Sequence, residues 1–285
     1  MHLAILFALL SLIFAGINDV VFKRYAGKER SRGMYVLGIG VVWTALQAVT
    51  FAARGMSLVL DQNTILFGLT AGLFLTISNI LLIESLTHID VSLGSTIYRL
   101  NTVGVVILSV LFLSESFGIL KSWGILAGLI GVFLLYQKRS GPQVRTAFPA
   151  FFVVAVVASL SRASYGVTAK AAILLNADPS TMLLLISSSW IAGGACYAVV
   201  RERRFRLTKK KVFYSLLSGI LVCLIVNFLM LAIEHGEASI TIPVANMSFV
   251  IALFLSAILK METLSRRKLF AVACAVLSII LLSQA

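Results

Sequence analysis

Charge is scarce in this chain, and acidic charge scarcest: 11 Asp and Glu stand among 285 residues, and charged residues of every kind make up 12%. A soluble domain of this length needs a charged surface that this composition does not supply. Cysteine and histidine are as thin, at three each. Cys196, Cys223 and Cys274 fall inside apolar runs with no spaced partner, which excludes a disulfide framework and a zinc site. No nucleophile elbow, phosphate loop or close acid pair is present, and the serines at 187, 188 and 189 have no histidine near them in sequence. An enzyme is therefore not expected, and no cofactor or metal is implied.

What is present is apolar length, with 60% hydrophobic residues and a mean hydropathy of +1.02. Apolar runs lie near 3–22, 34–53, 64–86, 91–113, 118–136, 148–170, 180–200, 212–233, 239–259 and 267–283. Most are about 20 residues long, enough for a helix to cross a hydrocarbon core of roughly 30 Å. The expectation is an all-α membrane protein of ten transmembrane helices. Residues 3–17 look like the apolar core of a signal peptide, but Met1 and His2 give no basic start, and Asn18 and Asp19 sit where small cleavage-site residues belong. They are read as a retained helix.

The net charge of +13 does not point to nucleic acid, because no extended basic face with interleaved aromatics exists. Instead the cations fill the loops after spans 1, 3, 5, 7 and 9: Lys23, Arg24, Lys28, Arg30 and Arg32; Lys138, Arg139 and Arg145; Arg201 to Lys211; and Lys260 to Lys268. The other side holds only Arg54, Lys121 and Lys170. Basic loops stay cytoplasmic, so both termini are expected outside a cell membrane that the chain crosses many times.

A shift of 147 positions lays uncommon residues on one another without a gap. Lys23 meets Lys170, Trp43 meets Trp190, Arg54 meets Arg201, Gly72 meets Gly219, His88 meets His235 and Ser92 meets Ser239. Glu115 likewise meets Glu262, Lys121 meets Lys268, Gln137 meets Gln284, and Asp90 meets Glu237. The chain thus divides into two five-helix units, 1–140 and 146–285, joined by Gln137 to Thr146. An odd number of spans makes the second unit enter from the opposite side, giving two inverted repeats, the arrangement that serves alternating access.

The closing segments, VLFLSESFGILKSWGILAGLIGVFLL in the first half and LFLSAILKMETLSRRKLFAVACAVLSIILL in the second, resemble the EamA branch of the drug/metabolite transporter superfamily. The likeness covers almost the whole chain and is most specific at the acidic residues after spans 4 and 9, Glu115 and Glu262. It implies a solute transporter, often an exporter of metabolites or amino acids, with a central cavity. Members often carry proline early in spans 4 and 9; here Pro243 stands in span 9, whereas Thr96 holds the matching place in span 4.

Arg99 and Arg162 lie well inside spans 4 and 6. A central arginine costs about 2.5–3.5 kcal/mol on insertion scales, so it needs a polar interior or a partner. On a helical wheel Ser92, Ser95, Thr96, Arg99 and Thr102 share one face, and Ser159, Arg162, Tyr165, Gly166 and Lys170 share another. Arg99, Arg162, Lys170, Tyr98, Tyr165, Trp43, Trp190, Asn18, Asn79 and Asn246 are the expected substrate-binding set. The alternative is that each arginine locks helices by pairing with Glu84, Asp19 or a helix-end carbonyl. Asn227 and Asp19 add polar groups within apolar runs. His88 with Asp90 and His235 with Glu237 would fall on opposite membrane faces, which opposes a shared metal. Glu84 and Glu234 sit within a turn of a loop, an interfacial place.

The leading expectation is a secondary transporter that moves a small polar metabolite, an amino acid or other anionic or zwitterionic solute, across the cell membrane by alternating access. The expected partners are that solute and the bilayer; a coupling proton or ion and a homodimer stay open. A flippase for a lipid-linked phosphate head group and a non-transporting structural membrane protein are the alternatives.

Overall fold

In hydrocarbon every backbone polar group must find its partner within the segment, so long apolar runs become helices. The computed structural model describes residues 2–26, 31–85, 98–134, 148–203, 207–261 and 265–285, and helix occupies each expected span within them. In chain order these are α1 (His2–Ala26), α2 (Gly33–Ala53), α3 (Gln62–Ser85), α4 (Asn101–Leu113) and α5 (Ile119–Leu134). The second set is α6 (Phe148–Leu174), α7 (Pro179–Glu202, its last turn a π turn), α8 (Lys209–His235), α9 (Ala238–Ile258) and α10 (Arg266–Ser283). Among the described residues, seven of these, α1–α3 and α6–α9, are long and apolar enough to cross a membrane. Helices α4 and α5 run for 13 and 16 residues. Outside the described residues lie the start of span 4 with Ser92, Ser95 and Thr96, the His88 and Asp90 loop, the 137–146 linker, and Glu262. So do the loop cations Lys28, Arg30, Lys138, Arg139, Arg145, Arg204 and Arg206.

Caps explain several helix ends. Asp178 accepts from the Thr181 amide at 2.7 Å to open α7. Asp61 takes the Thr64 amide at 2.6 Å and its hydroxyl at 2.9 Å to open α3, and that amide is the main force holding the Asp61 carboxyl below its usual range. The opening of α2 is capped from a distance: Glu202, at the end of α7, accepts from the Arg32 and Gly33 amides and the Ser31 hydroxyl.

Exchange of the two halves (α1 with α6, α2 with α7, and so on) returns the main helix contacts to themselves. The α3–α6 contact maps to α8–α1, α3–α7 to α8–α2, and α4–α6 to α9–α1, while α2–α7, α4–α9 and α5–α10 map to themselves. Two of these self-paired contacts have a readable direction. Gly33 faces Ala198, Gly40 faces Ile191 and Gly194 faces Leu37, so α2 and α7 run antiparallel. Gly124 faces Leu282, Gly128 faces Ser278 and Gly131 faces Cys274, so α5 and α10 do too. Small residues let these backbones close up.

The core centres on α2, α6, α7 and α8. There the repeat mates Trp43 and Trp190 meet edge to face, ring centroids 5.8 Å apart. The outward surface is apolar, with Leu111, Phe112, Ile130, Phe133, Leu277 and Ile280 exposed, as a lipid-facing surface requires.

Helix α9 departs from the uniform span expected of it. It breaks at a 3₁₀ turn, Asn246–Ser248, one turn after Pro243, with Met247 at φ −81°, ψ 18°. Proline removes one intrahelical hydrogen bond, and the polar groups at the break bond to other helices instead.

Candidate functional site

Those polar groups meet Arg99. From the start of α4 its guanidinium donates to the Asn246 carbonyl at 2.8 Å and approaches the Ser248 hydroxyl at 3.4 Å. The other terminal nitrogen lies 3.2 Å from Asp19 Oδ2 on α1. Ser248 donates to the same carboxylate oxygen at 3.1 Å, and the guanidinium also sits 5.3 Å from the centroid of Phe249. The Asn246 side-chain amide turns back to α4, donating to Asn101 Oδ1 at 2.6 Å and to Thr102 at 3.2 Å.

This arrangement is built on the repeat. Arg99 and Asn246 stand 147 residues apart, as do Asn101 and Ser248. The Arg99–Ser248 and Asn246–Asn101 contacts are therefore images of one another, with a cation in one half and an amide in the other. Close packing puts Asp19 within reach: a Cβ on Gly16, one turn before it, would lie 2.7 Å from the Ser248 carbonyl. Arg99, Thr102, Pro243, Asn246 and Met247, with Ile125, Gly128, Leu129 and Val132 of α5, line a cleft. In this conformation it has room for about one water molecule.

The remaining expected residues are spread through the bundle. Tyr98 turns the other way from Arg99: its hydroxyl lies 3.3 Å from Ser78 Oγ on α3, and its carbonyl 3.4 Å from Ser159 Oγ on α6. Arg162 lies 5.4 Å from the centroid of its own helix neighbour, the buried Tyr165, and has no ion pair among the described residues. Asn79 donates to the Leu75 carbonyl of its own helix at 2.8 Å. Asn18 Oδ1 and both indole nitrogens, of Trp43 and Trp190, are buried without a hydrogen-bond partner among the described residues. Lys170 is engaged elsewhere, donating to the Ile233 and Gly236 carbonyls at 2.8 Å each, where it caps the end of α8.

Sequence reasoning missed two clusters near the helix ends. Glu115 accepts from the Ala238 and Ser239 amides at 2.8 and 2.9 Å, closing the start of α9. Beside it Lys121, 2% exposed, pairs with Glu237 and donates to the Ser239 hydroxyl at 3.0 Å. At the opposite end Glu84 binds Arg201 at 2.8 Å and Tyr197 at 2.7 Å. The repeat had marked Glu115, Lys121 and Glu237, but only the fold brings them together. His235 binds the Leu231 carbonyl, and no group of metal-binding side chains exists among the described residues.

The model of the EamA-like transporter family matches the chain twice, over residues 2–137 and 150–284. A solved protein crystal structure superposes with a TM-score of 0.84 over 98% of this chain and 95% of the other, at 14% identity, a likeness of fold alone. No curated protein sequence matches.

Proposed function

The chain belongs to the EamA-like transporter family, and from that premise we propose that it carries a small anionic or zwitterionic metabolite across the cell membrane by alternating access. The proposal includes two inverted repeats of five helices, with Arg99 as the solute's anchor. The observation that carries the reading is the Arg99 guanidinium, set between α1, α4 and α9 at the edge of a cleft. Its planar fork of donors matches a carboxylate or phosphate.

The antiparallel packing of α2 on its mate α7, and of α5 on its mate α10, supports the inverted arrangement. In such repeats a broken helix exposes backbone groups beside the transported solute. The break in α9 fits that pattern, since it turns the Asn246 carbonyl toward Arg99. Asn246, Thr102 and the apolar wall of the cleft complete the site. The cleft must widen to admit a solute, which is the motion that separation of α9 from α4 and α5 would supply.

The test is transport and melting temperature measured together in proteoliposomes. Arg99→Lys is expected to weaken solute flux, and Arg99→Gln to reduce it by a hundredfold or more, on the order of 3 kcal/mol for a lost charge-assisted bond. Both variants should remain folded. Normal flux with a lowered melting temperature in Arg99→Gln would make the arginine a helix lock on Asp19 and overturn the reading.

A further inference from the structure

Asp19 has the chemistry of the solute group that Arg99 would hold, and its grip is partial. Both hydrogen bonds to its carboxylate, from Arg99 Nη2 and Ser248 Oγ, fall on Oδ2. Oδ1 has no hydrogen bond among the described residues, and the Asp19 side chain is 43% exposed against 20% for Arg99. A pair built to lock helices would be buried and bidentate. A single contact at 3.2 Å to a half-open carboxylate is a weak hold beside a buried, bidentate one. The Asn246 carbonyl, meanwhile, holds the other terminal nitrogen. The guanidinium can therefore release Asp19 without leaving its place.

We propose that Asp19 is an internal competitor of the solute, a carboxylate of the protein's own that holds Arg99 and yields it to a carboxylate on the solute. The inference rests on the reading of Arg99 as the anchor and narrows the solute class. Beyond the guanidinium the cleft is walled by Ile125, Leu129, Val132 and Met247, so the carboxylate is borne on a short apolar body. Competition follows from geometry. Solute in the cleft and Asp19 on α1 draw on the same guanidinium, and charge neutralisation by either weakens the hold of the other. An anchor occupied by its own carboxylate nine-tenths of the time binds solute about tenfold more weakly than a free one.

Butyrate is the probe, with butyramide as its uncharged control. Its binding to the full-length protein in lipid nanodiscs is read from the concentration dependence of thermal stabilisation. Asp19→Asn is expected to lower the half-saturating butyrate concentration about tenfold. Ser248→Ala, which removes a donor from Asp19 and leaves both charges, is expected to lower it by a smaller factor. Butyramide should stabilise neither protein. An unchanged or raised half-saturation in Asp19→Asn overturns the competition. Should that variant fail to fold, an unchanged value in Ser248→Ala does so. Failure of butyrate to bind any variant overturns the carboxylate class. The anchor is judged separately: loss of binding in Arg99→Gln keeps it even where competition fails, and butyrate binding untouched by Arg99→Gln overturns the anchor itself.

Discussion

Lys121 and Arg99 are both cations inside an apolar bundle, and their neighbours assign them different work. Lys121 is 2% exposed and fully engaged by Glu237, the Ser116 carbonyl and the Ser239 hydroxyl. Arg99 keeps a half-open partner and borders a cleft. Removal of one member of a buried pair leaves an uncompensated charge and costs about 3–5 kcal/mol. Because Glu237 is 36% exposed, Lys121→Met should fall at or below the lower end of that range, seen as a lowered melting temperature in detergent. The double variant Lys121→Met with Glu237→Gln should lose less than the two single changes together, since the pair acts as a unit. Additive losses would show that the two side chains are independent. Arg99 was legible as an oddity because an arginine within a span needs a reason. Its choice of Asp19 and the Asn246 carbonyl was not, since Glu84 offered an equally good charge and only the fold sends Glu84 to Arg201 and Tyr197.

At the level of helices, the contact between α2 and α7 is the one most sensitive to size. A Cβ on Gly194 would lie 2.4 Å from the Leu37 nitrogen, and backbone cannot step aside as a flexible side chain can. Gly194→Leu should therefore separate the mates and cost about 1–3 kcal/mol or more, measured by thermal unfolding, with flux falling alongside. Gly118, whose Cβ would meet nothing within 4 Å, is the control, and Gly118→Leu should leave the melting temperature unchanged. Equal loss at both sites would mean that the antiparallel contact has no special role. Helix existence was readable throughout because apolar length dictates it. The break in α9 was not. Pro243 announces a kink, but where the helix opens depends on partners for the Asn246 carbonyl and amide, which come from α4. The cap of α2 by Glu202 was hidden for the same reason, with 169 residues between Gly33 and its acceptor.

For the whole molecule, the repeat offset was the most productive reading of the sequence, because Trp43 and Trp190, or Arg99 and Asn246, prove to touch as well as to match. Contact between mates is what the proposed inverted arrangement would produce at its axis. Composition could not reveal this, since an apolar chain of this kind has many alternative pairings of Leu on Leu. Orientation in the membrane depends on the loop cations, and the fold sharpens that count. Of the three cations on the sparse side, Lys121 is paired with Glu237 and Lys170 is spent on the α8 carbonyls, which leaves Arg54 as the one facing water. That side also gathers Asp61, Glu115, Asp178 and Glu237, all of them engaged at helix starts or with Lys121. The opposite side carries Arg203, Lys209, Lys210, Lys211, Arg266 and Arg267. Since the cytoplasmic side retains Lys and Arg and acidic residues weigh little, the loop between α2 and α3 is predicted to be external and the start of α8 cytoplasmic. The measurement is thiol labelling with an impermeant reagent in intact cells, in a background where Cys196, Cys223 and Cys274 are replaced. Leu58→Cys, on the exposed α2–α3 loop, should label from outside, and Lys210→Cys should label only after the membrane is permeabilised. Labelling of Lys210→Cys in intact cells, with Leu58→Cys silent, would reverse the orientation. The proposed role of Arg99, the break in α9 and the pairing of the halves would stand unchanged, because none of them depends on which face is which.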